Sequence, residues 1–355
     1  MLTALPPPPS LARIAARVDA RLQALLDVER QRWRAIDEDL DAPIHEVERL
    51  VMAGGKRLRP AFCHWGFVGA GGEPEAGAVI DAGAAFELMH AFALFHDDVM
   101  DDAASRRGAP TTHTVFAAEH TRAGWSGEAR RFGEGVAILV GDLAFVYADQ
   151  LMRSLTPAAW DMWNELRIEL NIGQFLDILG SVRHDRRLDK AERICRYKSG
   201  KYTIERPLHL GAILAAPERS DELVPALSAY GLPLGDAFQM RDDVIGVYGD
   251  ESITGKPVGG DLREGKPTPL LARAYAAATP AQRAILDTVG APDMTDHQVA
   301  SVQQIMIDTG ALAGLEAHIE SLTDQALAAL PDARLTSEAT DELVQLAHYV
   351  SWRRV

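Results

Sequence analysis

Apolar residues return along this chain with a helical spacing. Leu11, Ile14, Ala15, Val18, Leu22 and Leu25 form one series, and Phe86, Met89, His90 and Ala93 form another. Steps of three and four place such residues on one face of an α-helix. The alternation that marks a half-buried strand is almost absent. Breakers stand between the series, at Gly71-Gly72-Glu73-Pro74, Gly108-Ala109-Pro110, Thr156-Pro157, Gly255-Lys256-Pro257, Thr279-Pro280 and Pro331-Asp332. They leave on the order of a dozen segments of helical length. The stretch from His120 to Gly135, with Arg122, Arg130 and Arg131, reads as a solvated loop. No fixed-period repeat and no linker-like shift in composition appears. The pattern predicts an all-α, single-domain helical bundle over residues 1–355, with residues 1–10 a flexible Pro-rich arm built around Pro6 to Pro9.

Composition narrows the function. A chain of 355 residues with 47% hydrophobic residues can bury a large core. A net charge of −15 argues against nucleic acid as a partner, since that needs a basic face. Cys63 and Cys195 are too few and too far apart for a zinc site or a disulfide framework, and read as inert thiols of a reducing compartment. The start, MLTALPPPPS, shows neither the basic nor the apolar region of a signal peptide. The most apolar stretches are interrupted by Asp81, Glu87, His90 and Asp142, short of the roughly 18 uncharged residues of a spanning helix. A cytoplasmic protein with no transmembrane segment is expected.

Two acidic clusters carry the candidate chemistry. The first is His96-Asp97-Asp98-Val99-Met100-Asp101-Asp102, which ends an apolar helical run and is followed by Arg106 and Arg107. Asp97 and Asp101 share a helix face, so their charges repel unless a cation intervenes. Mg²⁺ suits them: it takes few carboxylates and completes its shell with water and phosphate oxygens. Arginine forks such as Arg106 and Arg107 grip phosphate in pairs of hydrogen bonds. The second cluster is Gln239-Met240-Arg241-Asp242-Asp243. Asp242, Gly246 and Asp250 lie on one stripe, and the middle position has no carboxylate. A Gly-rich loop with Lys256 and Lys266 follows. Lys56, Arg57 and Arg59 open a helix after Gly54-Gly55 and can hold a second anion at its N-terminus. Lys198, Ser199 and Lys201 sit at an expected helix kink.

Five ordered motifs, GGKRLRP (54–60), HDDVMDDAASRRG (96–108), YKSGKYT (197–203), QMRDD (239–243) and GKPVGGDLREGK (255–266), resemble those of the trans-isoprenyl diphosphate synthases. The resemblance is nearest to the bacterial short-chain geranylgeranyl and farnesyl type, and its motifs span residues 45–275. It implies an all-α bundle around a deep central cavity, a homodimer and about three Mg²⁺ ions per site. It implies condensation of isopentenyl diphosphate with allylic diphosphates. Asp97, Asp98 and Asp101 then match the first metal motif, and Asp242 the ligand of the remaining ion. Lys56, Arg59, His90 and Arg107 match the isopentenyl diphosphate site. Arg106, Lys198, Lys256 and Lys266 match positions that hold the allylic diphosphate, and Ser199 and Gln239 match positions near the developing cation. Gly246 departs from the family's second DDxxD motif.

Product length should follow from what lines the helix before Asp97. Phe92 and Ala93 stand five and four residues before it, and in the family that the chain resembles an aromatic residue at the fifth position alone implies geranylgeranyl diphosphate rather than farnesyl diphosphate. Two rivals are a class I terpene cyclase and a non-catalytic subunit of a heteromeric synthase. The first does not need a second diphosphate site, and the second should have lost metal ligands.

Overall fold

The computed structural model describes residues 6–106, 108–249 and 258–353. The architecture is all-α, as the periodicity predicts. Its helices are α1 (Pro9–Arg34), α2 (Asp41–Met52), α3 (Leu58–Gly69), α4 (Gly77–Met100), α5 (Thr112–Ala123), α6 (Ala129–Leu151), α7 (Pro157–Val182), α8 (Leu188–Ile194), α9 (Arg206–Ala215) and α10 (Ser220–Tyr248). Beyond them come α11 (Gly260–Arg263), α12 (Pro269–Ala277), α13 (Pro280–Leu286), α14 (Asp296–Asp308), α15 (Ala311–Ala329) and α16 (Ser337–Trp352). The strands are two short antiparallel partners, β1 (Ser105–Arg106) and β2 (Ala109–Pro110).

Local chemistry sets many boundaries. Thr156 caps α7 by accepting from the Ala159 amide, with Pro157 in the first helical position, where a missing N–H costs nothing. Thr279 with Gln282 and Thr295 with Gln298 form capping boxes that open α13 and α14.

Two expectations about loops change. Helix α1 already begins at Pro9, so the arm is shorter than 1–10: Ser10 is buried and its hydroxyl donates to Glu342 of α16 at 2.6 Å. Most of His120–Gly135 is also helical, leaving only a short turn between α5 and α6. His120 is buried there, with its ring against Trp125 and Phe132. The polar side chains of that stretch hid an aromatic cluster that pins the turn.

The middle of helix α4 is apolar on most sides because neighbouring helices enclose it. Phe86, Leu88, Met89, Ala91 and Phe95 are all buried. Among the described residues it is also the one helix long and apolar enough to cross a membrane, although 61% of its most apolar window is buried within the protein. The core forms two clusters, and α10 belongs to both. Leu223, Leu227, Tyr230 and Leu234 enter the first, whereas Met240, Val244 and Val247 enter the second. One continuous helix thus ties the two clusters together.

Residues Cys195–Glu205 form a π-helix that runs from α8 directly into α9. The expected kink at Lys198-Ser199-Gly200 is therefore a wider helical turn, a form found often at functional sites. It lies backbone-to-backbone on α10. A Cβ built on Gly235 would stand 2.6 Å from the Gly200 carbonyl oxygen. The contact exists because neither residue has a side chain. It brings Lys198 and Ser199 to the same space as Gln239 and Asp242. Gly235→Ala should therefore lower the unfolding free energy by about 1–3 kcal/mol, read from urea titration. An unchanged transition would show that the two backbones do not meet.

Candidate active site

A cavity of about 570 Å³ opens where α3, α4, α7, the π-helix, α10 and α11 converge. Lys56, Arg59, His90, Ala93, Asp97, Arg106, Lys198, Ser199, Gln239, Asp242 and Lys266 all line it. Residues far apart in sequence thus share one wall. Arg107, Asp250 and Lys256 lie outside the described residues.

Helix α4 delivers the first acidic cluster at its C-terminal end. That is the negative end of the helix dipole, the less favourable place for carboxylates. The structure answers with cations from other elements. Arg106 of β1 donates to Asp98 at 2.6 Å and to Asp97 at 3.2 Å. Lys198 reaches Asp97 at 3.2 Å and Asp177 of α7 at 2.5 Å. Gln174 donates to Asp97 at 3.0 Å. Burial would push the Asp97 carboxyl up, but Lys198, Lys266 and Arg106 outweigh it and hold the group below the usual carboxylate range. Asp101 goes the other way, raised by burial and by the charge on Asp97. Asp98 is buried behind Arg106 rather than on the cavity wall, and Asp101 caps the helix, 3.9 Å from Lys266.

On α10, Asp242 accepts from Arg353 at 2.6 Å, and Asp243 is buried and accepts from Gln239 at 2.9 Å. Arg353 also lies over the Phe238 ring, 4.4 Å from its centre. Guanidinium and ammonium groups thus stand on the oxygens that a metal ion would use. The donor set itself, hard carboxylate oxygens on a polar cavity wall, fits Mg²⁺. Among the described residues no three acidic, His or Cys groups converge tightly enough to hold a metal ion alone.

The basic motif before α3 divides its labour. Arg57 takes a left-handed backbone, φ 49°, and turns inward. It pairs with Glu87, with Asp19 at 2.7 Å and with the Val51 carbonyl at 2.5 Å. It is a structural anchor, contrary to the reading of all three cations as anion-binding. All three border the cavity, but the Arg57 guanidinium is taken up by these pairs. Arg59 stacks on Tyr202, 4.3 Å from guanidinium carbon to ring centre. Among the described residues its buried Nε has no hydrogen-bond partner, and neither do the Tyr202 hydroxyl and Thr203 Oγ1 beside it on the wall. A buried N–H without an acceptor costs free energy that an incoming anion would recover.

The two residues expected to set product length part company. Ala93 lines the cavity. Phe92 turns towards α6, with its ring 4.9 Å from Phe145 and 4.7 Å from His96.

The sequence profile of the polyprenyl synthetase family matches residues 43–306. The chain belongs to that family. A geranylfarnesyl diphosphate synthase of Aeropyrum pernix is 31% identical over 306 residues, 84% of this chain and 89% of that protein. A geranylgeranyl diphosphate synthase of Mycobacterium tuberculosis is 33% identical over 295 residues, 81% of this chain and 78% of that protein. The crystal structure of geranylgeranyl pyrophosphate synthase from Corynebacterium glutamicum, complexed with isoprenyl diphosphate and magnesium, is similar with a TM-score of 0.91 and 36% identity. It covers 97% of this chain and 99% of that one. The family membership makes the chain a prenyltransferase that elongates prenyl chains. The relatives' names differ in product length, so likeness alone does not choose one.

Gln174, Asp177 and Arg353 lie outside the motifs and were not singled out from the sequence, and Tyr202 lies within YKSGKYT without a role assigned to it. Gln174 and Asp177 did leave a trace, as polar residues three apart in an apolar helical run.

One consequence concerns pH. Burial, followed by the charge of Arg353, brings the Lys56 ammonium down to about 8, with Asp242 opposing. Below that value Lys56 is charged and can hold an anion; above it the charge is lost. Affinity for inorganic pyrophosphate should therefore weaken as pH rises through 8, by up to about tenfold per unit. Lys56→Arg should remove that component. Parallel calorimetric profiles for the two proteins would refute it.

Proposed function

We propose that this chain condenses isopentenyl diphosphate with allylic diphosphates to give a short all-trans prenyl diphosphate, with geranylgeranyl diphosphate the main product and farnesyl diphosphate next. The observation that carries the reading is one cavity with two groups of cations from different elements. Lys56 and Arg59 come from the start of α3, whereas Arg106, Lys198 and Lys266 surround the acidic end of α4. A terpene cyclase needs only one diphosphate site. A non-catalytic subunit would not be expected to keep the first acidic cluster intact.

In this reading Lys56, Arg59, His90 and Arg107 hold isopentenyl diphosphate. Arg106, Lys198, Lys256 and Lys266 hold the allylic diphosphate and stabilise the negative charge that develops as its carbon–oxygen bond breaks. The bond's electron pair leaves with the diphosphate. The π electrons of isopentenyl diphosphate then form the new carbon–carbon bond, and a proton passes to the departed diphosphate. Ser199 and Gln239 stand near the allylic cation. Leu94, Leu170, Ile194 and Phe238 on the wall keep water from it. Asp97, Asp101 and Asp242 would hold Mg²⁺, about three ions by likeness to the family, whereas Asp98, buried behind Arg106, would do so only once that arginine moves off it. When bound, Mg²⁺ supplies positive charge to the leaving diphosphate.

We place the enzyme in the cytoplasm as a homodimer. Ile168, Ile172, Phe175 and Val182 form an exposed apolar stripe along α7, and Leu139 and Val146 another on α6. Apolar faces of that kind are usually covered by a partner.

Incubation with Mg²⁺, isopentenyl diphosphate and each of dimethylallyl, geranyl and farnesyl diphosphate tests the function, with products separated by chain length. Turnover should require isopentenyl diphosphate and stop mainly at geranylgeranyl diphosphate. A cyclic hydrocarbon made without isopentenyl diphosphate would sink the proposal. In the same assay Phe92→Ala should lengthen the product, by opening the wall towards α6. Ala93→Phe should shorten it, by filling the cavity. Unchanged product length in both variants rejects this part of the wall as the ruler.

A further inference from the structure

Helix α7 presents one stripe of residues to the π-helix, and only its far end belongs to the cavity. Glu169, Gly173 and Asp177 stand at steps of four and share a face. Asp177, the last of them, takes the Lys198 ammonium at 2.5 Å. At Gly173 the two backbones meet, and a Cβ built there would collide with the Lys198 nitrogen. One turn earlier the buried Glu169 carboxylate holds two cations of the facing segment. Lys201 donates to one of its oxygens, and Arg206 forks onto both, at 2.7 Å each.

Lys201 and Arg206 are five residues apart. In an α-helix their side chains would point roughly 140° apart, away from a common partner. A helix bonded from each carbonyl to the fifth amide beyond sets such residues one above the other. The backbone takes that form here: the Arg206 amide donates to the Lys201 carbonyl. The next residue, Pro207, has no N–H, so an α-type bond to the Thr203 carbonyl cannot compete. Among the described residues Lys198, Ser199, Tyr202 and Thr203 line the cavity, whereas Glu169, Lys201 and Arg206 do not. One side of the π-helix is therefore held while the other faces the site.

We propose that Glu169 is a positioning residue: by holding Lys201 and Arg206 together it keeps this segment in the π form and thereby sets the Lys198 ammonium against Asp97. Relaxation toward α spacing would turn Lys198 about the helix axis and draw it off Asp97 and Asp177. Glu169 itself stays behind the wall. The inference rests on the reading of Lys198 as a ligand of the allylic diphosphate.

Steady-state kinetics of the full-length chain with Mg²⁺, isopentenyl diphosphate and geranyl diphosphate test it. Glu169→Gln keeps the shape and removes the charge. It should lower kcat/KM for geranyl diphosphate by about 10- to 100-fold, the cost of a displaced group. In a Lys198→Ala background the same substitution should change kcat/KM by less than about twofold, because its effect passes through Lys198. Hydrogen exchange supplies a reading apart from turnover: the amides from Lys201 to Arg206 should exchange faster in Glu169→Gln while those of α4 keep native protection. Lys201→Arg should retain most of the native rate and Lys201→Met should lose it, which keeps the test open where Glu169→Gln does not fold. Native kinetics in Glu169→Gln, or in Lys201→Met, overturn the inference alone, and so does a loss that persists undiminished without Lys198. Failure of the native chain to turn over with any of the three allylic diphosphates overturns the proposed function and the inference with it.

Discussion

The structure depends on one electrostatic constraint: carboxylates brought to the end of a buried apolar helix must be matched by cations from elsewhere. Helix α4 can be enclosed on most sides only because its middle is apolar. At its last turns Asp97 reaches the cavity wall and Asp98 stays buried, both at the unfavourable end of the helix dipole. A charge in such a place is costly unless paired. Lys198 from the π-helix, Arg106 from β1 and Gln174 from α7 converge on it. The same need therefore draws together segments that no local rule connects.

That convergence is also a binding device. Each cation on an acidic oxygen stands where a metal ion or a phosphate can compete. Arg353 on Asp242 and Lys266 between Asp101 and Asp261 follow the same pattern. The close backbone contact of Gly200 with Gly235 holds the π-helix against α10, so Lys198 and Ser199 share a space with Gln239 and Asp242. Stability and chemistry here draw on the same contacts.

Much of this was legible early. The helical period located the bundle, and the five motifs located most of the cavity wall, because metal and diphosphate chemistry demands particular residue types in local runs. Single residues that reach the site from outside a motif were not legible. Gln174, Asp177 and Arg353 are ordinary in their segments and matter only through what lies opposite. Arg57 shows the reverse. Its motif suggested an anion ligand, but a left-handed turn sends it to Glu87 and Asp19. The stretch His120–Gly135 looked like a loop because its charges obscured the aromatic residues that pack beneath them.

By itself the sequence determined the class of fold, the acidic clusters and the cationic motifs, since these rest on periodicity and on residue types close together in the chain. Only the tertiary structure decided which charges are spent on the scaffold and which face the cavity. It alone put Arg353 on Asp242 and turned Phe92 to α6 while leaving Ala93 on the wall. The physical reason is that pairing in a low-dielectric interior is a matter of distance in space, and distance along the chain does not encode it.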